Sequence, residues 1–216
     1  MPKRPSNSEI FKAGLWKDNP VLRQVLGICS TLAVTNLLVN TLVMNVGLIF
    51  TLTMSSVTVS LLRNRIPSRI RMMIQTLIIA SYVIIVDILI KAYLPDISEA
   101  LGPYVGLIIT NCIVMGRCEA FARNNPVVPS LLDGLAVGLG YAFVLTTIAV
   151  VRELLGFGTL LGFRVMPEWF TTWTIMIVAP GAFFVLGVFI WIVRAYHPAA
   201  AQRLPLHRRN WWFLSR

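Results

Sequence analysis

Charge is the scarcest property of this sequence. Only 13% of its 216 residues are Asp, Glu, Lys or Arg, whereas 56% are hydrophobic, and the mean hydropathy is +0.75. Soluble domains carry about a quarter charged residues. The composition therefore excludes a soluble globular protein and predicts an all-α integral membrane protein. Since each crossing takes roughly 20 apolar residues, no length is left for a sizeable soluble domain.

Histidine and acidic residues are also few. The two histidines, His197 and His207, lie in the final segment, which disfavours a zinc site within the apolar part. The sequence has no Ser-His-Asp set, HExxH or P-loop pattern. Nine acids against nineteen bases give a net charge of +10. We attribute this excess to membrane topology and anionic lipid, not to nucleic-acid binding.

Long apolar runs are abundant and predict six transmembrane helices. No charged residue lies between Arg23 and Arg63, which predicts two crossings with a turn at residues 40–45. A proline-rich loop is expected at 123–130 and the longest loop at 152–172. The remaining crossings are expected at about 72–94, 101–122, 132–151 and 173–193.

Basic residues predict the orientation, because cytoplasmic segments accumulate Lys and Arg. With six crossings, sixteen of the nineteen basic residues would share one side, and only Lys91, Arg152 and Arg164 would face the other. Both termini are therefore expected in the cytoplasm. We expect a cytoplasmic segment 1–19 without a removable signal peptide. A single membrane domain 20–196 and a basic tail 197–216 would follow.

A weak internal repeat relates the two halves. Pro20 precedes Cys29 by nine residues, and Pro103 precedes Cys112 by the same number. Three crossings in each half, at about 20–94 and 103–196, would run in opposite directions. This is typical of an inverted repeat with its site near the membrane midplane.

The matched thiols, Cys29 and Cys112, are the candidate functional residues. A single cysteine in an apolar helix is usually a small buried hydrophobe, but a matched pair indicates a soft-metal site. A disulfide is disfavoured in a reducing context. Iron–sulfur clusters usually need four thiolates, so a second copy of this chain, or a second subunit of the same kind, would have to supply two. Cys118 lies about 120° around the helix from Cys112 and is predicted to be a packing residue.

Five segments carry a resemblance to a known family. Residues 27–35 (GICSTLAVT), 105–117 (VGLIITNCIVMGR), 119–122 (EAFA), 132–134 (LDG) and 152–156 (RELLG) resemble the NqrD/RnfE family. Its members are membrane subunits of the Na⁺-translocating NADH:quinone oxidoreductase and of the related Rnf ferredoxin:NAD oxidoreductase. The NqrD branch is favoured by Ser30 and by residues 158–162, whereas residues 14–20 are closer to RnfE.

The resemblance implies an electron-transfer subunit of an ion-translocating respiratory complex in the bacterial inner membrane. Cys29 and Cys112 occupy the family's ligand positions for a [2Fe-2S] cluster shared with a sister subunit of opposite orientation, of the NqrE/RnfA type. Electrons would cross the membrane there, coupled to Na⁺ or H⁺ transport. The resemblance indicates no covalently bound flavin on this chain, which would act only within the complex.

Other polar residues are candidates for supporting roles. Four side chains could donate hydrogen bonds to the sulfurs, namely those of Ser30, Thr31, Thr110 and Asn111. The simpler alternative is that these residues make ordinary contacts between helices. Asp87 and Asp133 are candidates for a cation pathway. Alternatively, Asp87 pairs with Lys91, and Asp133 stabilises a helix N-terminus.

Two other classes of function remain open from the residues alone. A secondary transporter would also use an inverted repeat, with a solvent cavity lined by Asp87. A purely structural subunit would have inert cysteines.

Overall fold

The computed structural model describes residues 21, 26–63, 65–67, 70–93, 95–161, 163–164 and 174–196. Nearly all of this part is helical. The α-helices are α1 (Ile28–Val34), α2 (Leu38–Leu62), α3 (Arg71–Tyr93), α4 (Pro95–Ile109), α5 (Cys112–Arg117), α6 (Val127–Gly156) and α7 (Ala179–Tyr196). The predicted segment 1–19 and basic tail 197–216 lie outside the described residues.

Smaller elements complete the described chain. A π-helical turn, Cys118–Ala122, continues α5, and a 3-10 turn, Thr174–Met176, precedes α7. Strands β1 (Thr159–Leu160) and β2 (Phe163–Arg164) form a short antiparallel hairpin.

Four helical stretches among the described residues are long and apolar enough to cross a membrane. They are Leu38–Leu62, Arg71–Tyr93, Tyr104–Ala122 and Val127–Gly156, and a shorter apolar stretch is Pro180–Val193. At about 1.5 Å per residue, the 25 residues of α2 span about 37 Å, more than the roughly 30 Å of a hydrocarbon core. Apart from the small hairpin, the predicted all-α class is confirmed.

Helices α2 and α6 pack against each other in antiparallel fashion at the centre of the molecule. The Leu38 backbone N–H donates to Glu153 Oε2 at 2.6 Å at one end, and Ser60 Oγ donates to the Asn125 carbonyl at 2.7 Å at the other. A Cβ on Gly134 would lie 3.1 Å from the Cα of Thr53, so the backbones meet closely there. The absence of a side chain at Gly134 therefore permits the two helices to pack closely.

The turn between the first two predicted crossings lies earlier than the sequence suggested. The predicted turn at residues 40–45 is wrong, because α2 begins at Leu38 and runs straight through them. Asn45 does not mark a turn, since its amide nitrogen donates to Thr146 Oγ1 on α6 at 3.2 Å. The chain turns instead at residues 35–37, where Thr41 Oγ1 donates to the Val34 carbonyl across the turn.

Two predicted helix limits around the fourth and fifth crossings also differ. The expected continuous helix 101–122 is broken at Thr110 and Asn111. The expected loop 123–130 is shorter, because α6 already begins at Val127. Pro129 then lies in the first turn, where its missing N–H would have had no partner within the helix.

The C-terminal end of α6 carries two buried charges, Arg152 and Glu153, at a place where the sequence predicted the start of a loop. Arg152 is 2% exposed and donates to Thr35 Oγ1 at 2.6 Å and to the carbonyl oxygens of Met176 and Ile177 at 3.0 and 3.1 Å. Arg152 therefore ties the end of α1 and the start of the last helical segment to α6.

The order of elements recurs in the two halves. A short helix that begins at or next to a cysteine is followed by a long helix and then by a third one. The elements are α1, α2 and α3 in the first half, and α5, α6 and α7 in the second.

Candidate metal centre

Each of the two matched cysteines lies at a break, which here means a non-helical stretch directly before a short helix: residues 26–27 before α1, and residues 110–111 before α5. Cys29 is the second residue of α1, directly after Gly27 and Ile28, and Cys112 is the first residue of α5. Gly27 has a backbone φ of 82°, in the left-handed region that favours glycine. In a membrane, such irregular backbone is tolerated where it is buried in protein or lines a cavity.

The second break is capped by its own sequence. The Asn111 side chain accepts a hydrogen bond from the Ile113 backbone N–H at 2.9 Å, which stabilises the first turn of α5. Asn111 is 5% exposed. The start of α5, and with it the position of Cys112, is therefore fixed by a buried side chain.

The two breaks meet at one cavity of about 120 Å³. Its lining residues are Gly27, Cys29, Ser30, Leu107, Thr110, Asn111 and Cys112. Both thiols are free and exposed. The structure thus brings together both predicted ligands and three of the four predicted supporting residues.

A buried hydrogen-bond network holds the two breaks together. Asn111 Nδ2 donates to Ser30 Oγ at 3.3 Å, and Ser30 Oγ also forms a short hydrogen bond with the Tyr141 hydroxyl. Ser30 and Thr31 donate to the carbonyl oxygen of Gly27, at 3.0 and 2.9 Å. Thr31, the fourth predicted supporting residue, therefore stabilises the first break and is not among the residues that line the cavity.

Tyr141 is a residue of this site that was not predicted from the sequence. It is fully buried on α6, far from the cysteines in sequence. The sequence did contain an indication that Tyr141 has a special role. Tyrosine favours the membrane–water interfaces, and a buried tyrosine hydroxyl needs a hydrogen-bond partner. A tyrosine in the middle of an apolar helix is therefore a reasonable candidate for a site residue.

The candidate acids of the cation pathway both have basic partners. Lys91 Nζ lies 2.6 Å from Asp87 Oδ2, which confirms the predicted pair. Asp133 is bound by Arg117 through two hydrogen bonds, one of them from Nε to Oδ2 at 2.9 Å. The helix N-terminus explanation of Asp133 is wrong, because α6 begins at Val127 and places Asp133 in its second turn.

Cys118 is separate from the cavity. It is fully buried, and its thiol contacts Ser55 Oγ at 3.6 Å on α2. The prediction that Cys118 packs in the core and does not face Cys112 is confirmed.

The two thiols at the cavity are an incomplete donor set for a metal. Among the described residues, no group of three or more His, Cys, Asp or Glu side chains could hold an ion. Iron–sulfur clusters are usually bound by four thiolates, so two exposed thiols fit half of such a site. The other half would have to come from outside the chain.

These features define a class of protein, a polytopic membrane subunit with two thiols at paired helix breaks. Residues 7–190 match the family described as "Rnf-Nqr subunit, membrane protein", and the chain belongs to this family. It is similar to the NqrD protein of Photobacterium profundum, a subunit of the Na⁺-translocating NADH-quinone reductase. The two sequences are 47% identical over 199 residues, which cover 90% of this chain and 95% of the relative.

Proposed function

We propose that this chain is an electron-transfer subunit that supplies Cys29 and Cys112 as two ligands of an intramembrane [2Fe-2S] cluster. A sister membrane subunit of opposite orientation, of the NqrE/RnfA type, supplies the other two ligands. The observation that carries this proposal is the pair of exposed thiols at one cavity between two helix breaks. A bound cluster of this kind carries one electron at a time.

The surrounding residues have the task of holding the two thiols in position. Asn111 caps α5 and donates to Ser30, so a displacement at one break is resisted by the other. The buried Tyr141 contacts Ser30 from the side of α6. Because the two cysteine ligands are held in position before the cluster binds, binding costs less conformational entropy.

The complex is of the Na⁺-translocating NADH:quinone oxidoreductase type in this proposal. The identity to an NqrD protein, along nearly the whole of that relative, favours it over the Rnf type. It also favours an oxidoreductase subunit over a secondary transporter. Asp87 and Asp133 are left out of the proposed Na⁺ route, since each carboxylate has a basic partner.

The proposal includes a membrane arrangement. Residues 20–196 form a single domain of six crossings in a 3+3 inverted repeat, in the bacterial inner membrane, with both termini in the cytoplasm. The recurring order of a short, a long and a third helix supports the repeat. The distribution of basic residues in the sequence supports the orientation.

The test is chemical and spectroscopic. Iron and acid-labile sulfide are measured in the purified complex, with EPR of the reduced sample, for Cys29→Ser and Cys112→Ser. Cys118→Ala is the matched control, because Cys118 is buried away from the cavity. We expect both serine variants to lose one cluster signal while the subunits still assemble, and the control to keep it. Iron and signal that survive both serine substitutions would contradict the proposal.

A further inference from the structure

A second polar cavity, of about 90 Å³, lies at the end of the helices opposite to the residue 35–37 turn. It is lined by Val59, Arg63, Ile66, Arg71, Gln75 and Arg123. Its volume is roughly three times the 30 Å³ that a water molecule occupies in the liquid. The hydrogen bond from Ser60 Oγ to the Asn125 carbonyl brings the loops after α2 and before α6 to this same end.

The charges around this cavity do not balance. Glu119 is the one acid that pairs with its arginines among the described residues, at 2.7 Å from Arg71 and 3.1 Å from Arg123. Gln75 Nε2 donates to the other oxygen of the same carboxylate at 3.0 Å. One carboxylate against three guanidinium groups leaves a net charge of two positive units.

Two of the arginines have unused hydrogen-bonding capacity. The Nε–H of Arg71 is buried and has no partner within the described part of the chain. Arg63 forms no ion pair with a described acid. An anion in the cavity would give these donors a partner, since guanidinium groups bind phosphate through paired hydrogen bonds.

We propose that this cavity binds the phosphate of an anionic phospholipid headgroup. Basic pockets between transmembrane helices on the cytoplasmic side are suited to such headgroups. Large apolar side chains within two residues of the cavity lining in sequence are exposed, among them Leu61 at 71% and Met72 at 63%. These side chains offer acyl chains a surface that free phosphate would not need. The assignment to the cytoplasmic leaflet rests on the proposed orientation, whereas the cavity itself does not.

The experiment measures lipid binding to the purified, delipidated complex. Phosphatidylglycerol or phosphatidylcholine is titrated in, and bound lipid is counted by native mass spectrometry, with inorganic phosphate titrated in parallel. The variants are Arg63→Gln and Arg71→Gln. Arg65→Gln is the matched control, because Arg65 lies in the same loop but does not line the cavity. EPR of the cluster in each variant separates this test from that of the proposed function.

We expect phosphatidylglycerol to bind more tightly than phosphatidylcholine. Its affinity should fall on the order of tenfold in Arg63→Gln and in Arg71→Gln, and remain unchanged in Arg65→Gln. If Arg71→Gln does not assemble, because Glu119 has lost a partner, Arg63→Gln decides the question.

Three results would overturn the proposal. Equal losses of phosphatidylglycerol affinity in Arg63→Gln and Arg65→Gln would mean that the lipid responds to diffuse surface charge and not to the cavity. Inorganic phosphate that displaces the lipid at equal concentration would identify a free anion as the ligand. If lipid binding is unchanged but the Arg63→Gln complex releases another subunit, the cavity is occupied by a carboxylate of that subunit.

Discussion

Replacing Gly27 by alanine should disrupt the break in front of Cys29. Gly27 has a φ of 82°, and an added Cβ would lie 2.7 Å from Ile113 Cδ1 and 2.9 Å from Tyr141 Cε2. The left-handed backbone costs an L-residue roughly 1–2 kcal/mol, and overpacking typically costs about 1–3 kcal/mol. We therefore expect Gly27→Ala to lower the stability by about 2–5 kcal/mol. That is a large part of the roughly 5–15 kcal/mol that stabilises a typical protein.

The matched control is Gly187→Ala on α7, because a Cβ there would have nothing within 4 Å. Both variants are purified as the whole complex, and the fraction that stays monodisperse is followed against temperature, together with iron per complex. We expect a lower midpoint temperature and a loss of iron for Gly27→Ala, and wild-type values for Gly187→Ala. Wild-type values for both variants would refute the close packing deduced at the first break.

Three further substitutions test buried contacts. Asp133→Asn should lower stability by about 3–5 kcal/mol, since it leaves the charge of Arg117 without its partner. In the same heating assay, the double variant Asp133→Asn with Arg117→Gln should recover part of this loss. Glu153→Leu deprives the Leu38 N–H of its acceptor and should cost about 1–3 kcal/mol, whereas Glu153→Gln keeps an acceptor oxygen and should cost less. Cys118→Ala should keep the cluster signal and reduce thermal stability only slightly, because it removes a single buried sulfur atom; loss of the signal would show that this thiol is a ligand.

The helices and the cysteine cavity could be predicted from the sequence to different degrees. The third crossing was expected at 72–94 and is found at Arg71–Tyr93, because a cluster of arginines before the run and Pro95 after it bound a largely apolar segment whose internal charges, Asp87 and Lys91, pair with each other. The first turn was misplaced because Asn45 forms its hydrogen bond with α6, and the sequence does not indicate such a contact between distant helices. The break at Thr110 lies within an apolar run that is typical of one continuous helix, so its position was missed.

The supporting residues of the cavity show the same limit. Ser30 and Asn111 could be chosen because they are polar neighbours of the two cysteines in sequence. Tyr141 could not be chosen by proximity, since it reaches Ser30 only when α6 packs beside both breaks. Arg152 was expected at a loop, and its burial depends on carbonyl groups that the chain supplies more than twenty residues later.

The depth of the cavity supports a partner subunit as its cover. Tyr141 lies at the middle of α6, which runs from Val127 to Gly156, and it contacts Ser30, the neighbour of Cys29. Since the 30 residues of α6 span about 45 Å, the thiols lie near half the height of this helix, which is the midplane of a roughly 30 Å hydrocarbon core if α6 crosses it centrally. Lipid offers no hydrogen bonds to irregular backbone exposed at that depth. A protein face that covers Cys29 and Cys112 would shield this backbone from lipid, and the same face is where two further thiols would complete a set of four.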